Sequence, residues 1–192
     1  MILTVPEKKP GILTGILIYI IEKFLKKRIP LARVLIWSPR IALTSLRMEL
    51  AIESISKKIP SRLAKLIRLK VSLTANCPFC IDMNSQDYDV EGLSKEDIFS
   101  IRDGNEDNNN SFTTEEKLIL RWIESQTNTP LIFSEDLKLK LRETFDPKTL
   151  IIIAALGAKV NYWARFMQAL GIQAAGFQES CPFLPETPQN NN

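Results

Sequence analysis

Apolar residues in this chain return at intervals of three and four positions, not two. The series Ile12, Ile16, Leu17, Ile20, Phe24 and Leu25 keeps to one face of a helix. Ile41, Leu46, Leu50 and Ile55 hold nearly the same period, and Leu63, Leu66, Ile67, Leu69 and Val71 mark another helix opened by Pro60-Ser61. The punctuation agrees. Ser38-Pro39 and Asp146-Pro147 each set a capping residue before a proline at the first helical position, where the missing N–H has no partner to lose. Ser94 with Asp97 and Thr113 with Glu116 have capping-box spacing, and Gly171 is a stop signal. The segment Leu150 to Leu156 is apolar on every side, which predicts a helix buried at the centre. No segment alternates for long, so no strand is predicted. The polar run 104–111 (GNEDNNNS) reads as a loop, and the tail from Pro182, rich in proline and asparagine, as mobile. The expected fold is an all-α, single-domain helical bundle: an N-terminal helical extension over 1–37, the helical domain over 38–175 and a mobile tail over 176–192.

Composition narrows the class. A length of 192 residues suits one domain, and 45% hydrophobic with 24% charged residues is ordinary for a globular chain. The net charge of +3 is too small to call for nucleic acid, and no such partner is expected. The apolar stretch Gly11 to Ile21 falls well short of the roughly 20 residues of a spanning helix and has no small-residue cleavage site. Burial in the core or between subunits is the main reading for it. Contact with a membrane surface is the lesser one, suggested by the basic residues Lys23, Lys26, Lys27 and Arg28 that follow.

The chain has no histidine. That excludes a Ser-His-Asp triad, a Cys-His dyad and imidazole-bound metal, and it removes the one side chain that titrates near neutrality when unperturbed. The three cysteines, Cys77, Cys80 and Cys181, are too few and odd in number for a disulfide framework, so a cytoplasmic setting is expected. They also fall short of the four ligands of structural zinc, and neither metal nor cofactor is expected.

Cys77-Pro78-Phe79-Cys80 is the clear chemical motif. The proline predicts a helix start, and two intervening residues let the sulfurs meet across the first turn. Unpaired N–H groups and the positive dipole end there favour a thiolate, which a neighbouring thiol can resolve as a disulfide. Helix position alone favours Cys77 as the attacking sulfur. Cys181, beside Pro182, reads as an incidental exposed thiol.

The stretch from Leu63 to Ser85, LAKLIRLKVSLTANCPFCIDMNS, resembles the core of the alkylhydroperoxidase D-like (carboxymuconolactone decarboxylase) family: a helix, a short break at Ala75-Asn76, CxxC, then the run Ile81-Asp82-Met83. Gly92-Leu93-Ser94 with Asp97-Ile98, Arg102-Asp103-Gly104, Phe112 to Glu116, Asn161-Tyr162 through Arg165, and Ala169 to Ile172 extend the resemblance in order from about Ile41 to Ile172. The resemblance implies that family's helical bundle, a thiol-dependent peroxidase or disulfide reductase, an unknown thiol electron donor, and assembly as a dimer, trimer or hexamer. It also implies that Cys80 attacks and Cys77 closes the disulfide, opposite to what helix position suggests. Both assignments stay open.

Two departures bear on activity. Peroxidase members place a glutamate twelve positions before the first cysteine and a histidine four after the second. Here those places hold Lys65 and Asn84. Lys65 could stabilise a thiolate by charge, while Asn84 can hydrogen-bond but carries no proton. The candidate catalytic set is therefore Cys77, Cys80, Asn84 and Lys65, with weak activity expected. A non-catalytic helical oligomer or redox sensor is the alternative. The family's lactone-decarboxylase branch fits less well, because it works without a CxxC pair and uses histidine. The resemblance further suggests Asn161 and Arg165 as pocket-lining or subunit-contact residues on the buried helix.

Overall fold

The structure is a computed structural model, and it describes residues 9–25, 28–177 and 181–184. Among the described residues nine α-helices run in order: α1 (Ile12–Leu25), α2 (Pro30–Leu35), α3 (Pro39–Ser56), α4 (Ser61–Thr74), α5 (Pro78–Asn84), α6 (Lys95–Arg102), α7 (Thr114–Thr127), α8 (Glu135–Thr144) and α9 (Pro147–Ala169). No strand occurs among the described residues. The all-α expectation holds, and both capping boxes close as read: Ser94 and Asp97 exchange bonds at the start of α6, and Thr113 and Glu116 do so at α7. Asp146 caps α9 through the N–H groups of Lys148 and Thr149. Ser38 makes no side-chain cap, so Pro39 alone marks the start of α3.

Helix α4 is the centre, packed against α5, α6, α7 and α9. One side of it (Leu63, Ile67, Val71) joins Ile119, Ile123, Ile153 and Leu156 in the main core. The other (Leu66, Leu69) meets Ile81, Ile98, Leu120 and Phe183. A third cluster surrounds the cysteines. Burying these side chains is the main favourable contribution to folding, at about 25 cal/mol per Å² of apolar surface.

Two expectations are corrected here, and one arrangement was not foreseen. Helix α9 is long and packs on α3, α4, α5 and α7, yet the segment Leu150 to Leu156 is not buried all round: Ile153 and Leu156 are fully buried while Ile151 is 69% exposed. Helix α3 leaves Ile41, Leu46, Leu50 and Ile55 exposed, while Ile52 packs on the main core. Its polar residues face in because α9 places a buried Lys159 opposite them. The Lys159 ammonium bonds Glu49 Oε1 at 2.9 Å and also Glu53 Oε1. Glu49 Oε2 takes the indole N–H of Trp163 at 2.7 Å, and Ser45 pairs with the Tyr162 hydroxyl at 2.8 Å. A buried cation must be paired, and that requirement overrides hydrophobic patterning. The tail, third, is anchored at 181–184: Phe183 is buried in the second cluster, and Cys181 is half-buried beside Ser85, its sulfur 3.4 Å from the hydroxyl oxygen. Cys181 is thus not an exposed thiol. The ends of the predicted extension and tail, 1–8 and 185–192, lie outside the described residues, as do the side chains of Leu17, Phe24 and Leu25. On α1, Ile12, Ile16 and Ile20 are exposed.

Candidate thiol site

The break before the cysteines is a helix C-cap. Asn76 adopts the left-handed region at φ 51, and two bonds close a Schellman motif: Asn76 N–H to Leu73 O at 3.0 Å and Cys77 N–H to Ser72 O at 3.1 Å. The amide of Gln168 on α9 donates to Ala75 O at 2.7 Å and Asn76 O at 3.1 Å, fixing the turn against α9. The chain then leaves Cys77 in the N-cap position of α5, with Pro78 opening the helix.

As N-cap, Cys77 turns its sulfur toward the free N–H groups of the first turn, accepting the Cys80 N–H at 3.3 Å. The sulfurs of Cys77 and Cys80 stand 2.7 Å apart, and the residues are 0% and 1% exposed. Both sulfurs cannot ionise in so small a buried volume. The helix N–H groups converge on Cys77, so the negative charge belongs there and the remaining proton on Cys80. The Cys77 thiol is accordingly pushed below the ordinary range, by the bond from Cys80 against the opposing effect of burial, with help from the N–H groups of Cys80 and Phe79. The Cys80 thiol is pushed far up by its bond to Cys77, by burial and by the neighbouring charge. Alkylation of the reduced chain by iodoacetamide is expected to map to Cys77 before Cys80, with its rate inflecting below the ordinary thiol range. An inflection at or above the ordinary thiol value of about 8.5 would remove this charge assignment.

Asn84 is buried one helical turn beyond Cys80, and its amide donates to Ser72 Oγ at 2.9 Å. The Ser72 hydroxyl donates in turn to Arg68 O at 2.7 Å. Where the resemblance implies a proton relay, the structure has a chain of neutral hydrogen bonds. Lys65 goes elsewhere. Its ammonium donates to Gln86 O at 2.5 Å, beyond the C-terminal end of α5, and burial lowers its pKa, aided by Arg68 and opposed by Asp87, Glu91 and Asp89. The groups that move the Cys77 thiol are all in its own turn. The expected electrostatic role of Lys65 on the thiolate is withdrawn for that reason.

Asn161 and Arg165 do not join the site either. Asn161 donates to Thr127 Oγ1 at 3.1 Å and Gly157 O at 3.2 Å, and Arg165, which is exposed, to Thr127 O at 3.5 Å. Both tie α9 to the end of α7. Sequence reasoning missed Asp82. It is 1% exposed on α5, and one of its oxygens accepts the N–H groups of Ala175, Gly176 and Phe177. The only signal was an acidic residue inside an otherwise apolar run. The rest of the surroundings are Val34, Ala75, Phe79, Ala164, Met167 and Ile172, with Leu31, Trp163, Leu170, Ala175 and Phe177 partly buried beside them. Among the described residues no group of three or more cysteine, aspartate or glutamate side chains is placed to hold a metal ion.

The helical bundle and the CxxC pair at the start of α5 agree with the resemblance to the alkylhydroperoxidase D-like proteins. Solved structures agree on the fold. A protein of unknown function from Agrobacterium tumefaciens, suggested to be the antioxidant defence protein AhpD, matches with a TM-score of 0.66 at 23% identity, covering 77% of this chain and 97% of that one. The debrominase Bmp8 matches over more of this chain. Its apo structure gives 0.73 at 16% identity over 88% of this chain and 90% of its own. A cysteine-to-alanine variant of Bmp8 in complex with 2,3,4-tribromopyrrole gives 0.76 at 15% identity over 93% and 95%. No family model matches the chain. In sequence, it is 30% identical over 112 residues to the uncharacterized protein YdfG of Bacillus subtilis (strain 168), covering 58% of this chain and 75% of YdfG. It is 28% identical over 111 residues to the uncharacterized protein YnjA of Escherichia coli (strain K12), covering 58% of this chain and 60% of YnjA. The chain belongs to one family with YdfG, and its fold is the helical fold of the alkylhydroperoxidase D-like (carboxymuconolactone decarboxylase) proteins.

Proposed function

We propose that the chain is a thiol-dependent oxidoreductase, slow toward peroxides, in which Cys77 is the nucleophile and Cys80 the resolving thiol. One observation carries this: two adjacent buried sulfurs at a helix N-terminus, with the Cys77 sulfur accepting a first-turn N–H. The Cys77 thiolate attacks the outer oxygen of a hydroperoxide. The O–O bond breaks, Cys77 becomes a sulfenic acid, and the leaving alkoxide takes the proton of Cys80. The Cys80 thiolate so formed attacks Cys77, the S–S bond closes and hydroxide leaves. Two electrons pass from the thiols to the peroxide, and an external dithiol returns them. A fold neighbour suggested to be an antioxidant defence protein supports this reading.

A second reading is favoured by the longer fold match to Bmp8 and by the apolar walls of the site. The same pair would reduce a halogenated aromatic: thiolate, thiol and aryl bromide give arene, disulfide and bromide, again a two-electron exchange. The deciding experiment gives the reduced chain one equivalent of alkyl hydroperoxide or of a bromopyrrole, then counts thiols and maps the disulfide by mass spectrometry. The expected result is loss of two hydrogens on the peptide holding Cys77 and Cys80, with alcohol or debrominated pyrrole released in equal amount. Turnover of neither, with the disulfide still formed by mild oxidation, would leave the chain a redox sensor rather than an enzyme.

A further inference from the structure

With both sulfurs buried, an electrophile reaches them only after something moves. Two elements outside the α4–α5–α9 frame contribute to the cluster around the pair. One is α2, through Leu31 and Val34. It is a regular helix, and Arg33 fixes it to Glu22 at 2.8 Å. The other is the strap 172–177, which leaves α9 through a second Schellman turn at Gly171 and has no regular structure of its own.

The strap hangs on one carboxylate. Asp82 Oδ2 accepts the N–H groups of Ala175 at 2.9 Å, Gly176 at 2.7 Å and Phe177 at 3.0 Å. Three successive N–H groups converge on one oxygen because Gly176 turns into the left-handed region, at φ +74. The grip sets the Phe177 ring edge-on to Phe79, with centroids 5.8 Å apart and planes at 89°. Phe79 is one of the two residues between the cysteines, and it is 2% exposed. The strap can open by giving up local bonds without unwinding a helix, which makes it the element of lower local stability.

We infer that Phe177, held in position by Asp82, determines which electrophiles reach Cys77: the strap is the way in, and the ring sets the size admitted. Asp82 is a positioning residue, two positions after the resolving cysteine. The inference concerns access, and rests on the thiol-oxidoreductase reading only for what happens to the electrophile afterwards.

The test measures alkylation of Cys77 in the reduced full chain by a small reagent, iodoacetamide, and a bulky one, fluorescein maleimide, with peptide mapping. Wild type is expected to react with the bulky reagent slowly relative to the small one. Phe177→Ala should raise the bulky-reagent rate about 10-fold, the loss of one aromatic contact and its burial, while the iodoacetamide rate moves much less. Phe177→Tyr should keep the wild-type ratio. Asp82→Asn, which keeps the shape but weakens the hold on three N–H groups, should raise both rates about 10-fold or more. If that variant does not fold, the two Phe177 variants decide. An unchanged ratio in Phe177→Ala, or an equal rise for both reagents, overturns the inference. A Cys77 that is opened and alkylated as expected, but forms no reversible disulfide with Cys80, sinks the oxidoreductase reading and leaves the gate standing.

Discussion

Asn84→His is expected to raise peroxide consumption, assayed with a dithiol donor, by at least about 10²-fold, the lower end of what a positioned acid–base group contributes. The residue is one turn from Cys80 on the same face of α5. The Ser72 hydroxyl, 2.9 Å from the present amide, offers one imidazole nitrogen a partner and leaves the other to carry a proton. In wild type the leaving oxygen has only the Cys80 proton, which that thiol holds tightly. A rate unchanged in the variant, with the disulfide still forming, would show that proton supply is not limiting and would favour the sensor reading. Changing Lys65 to glutamate in addition should add little. Its side chain works at Gln86 O, among Asp87, Glu91 and Asp89, and a fourth carboxylate there is as apt to disturb the fold as to help catalysis.

Lys70→Met should destabilise the chain by about 3–5 kcal/mol in chemical denaturation, the usual loss when one partner of a buried ion pair is removed. Lys70 is 2% exposed on α4. Its ammonium bonds Glu106 Oε1 at 2.5 Å and Glu124 Oε2 at 2.8 Å. Methionine fills most of the space but leaves the Glu106 carboxylate buried and unpaired, and its other oxygen already lacks a partner. Glu124, nearly half exposed, can return to water. The double variant Lys70→Met with Glu106→Leu should therefore recover much of the loss. If the single variant costs less than about 1 kcal/mol, the site is wet and the pair resembles a surface bridge.

The helices were largely legible because the signals are local. A cap followed by proline at Asp146-Pro147, and the boxes at Ser94/Asp97 and Thr113/Glu116, act within four residues, so their geometry follows from spacing alone. The thiol pair was legible for the same reason: Asn76 can enter the left-handed region, Pro78 can open a helix, and two residues between cysteines bring sulfurs together on one turn. Helix α8 escaped notice, its buried apolar residues being only Leu137 and Leu141.

What the residues could not declare by themselves is which neighbour comes across from a distant part of the chain. The direction α3 faces depends on Lys159, more than 100 positions away, whose charge had to be met by Glu49 and Glu53 at the cost of exposing Leu46 and Leu50. Lys65 and Lys70 look alike in sequence, yet the fold carries one to a backbone oxygen past α5 and buries the other between carboxylates. Asp82 looked like a polar interruption until the strap returned over it. Local spacing determined the helices and the CxxC turn, since backbone hydrogen bonds of short range decide them. Tertiary structure alone decided the burial and pairing of the charges and the cover over the thiols, because the energy of a buried charge depends on what is packed against it.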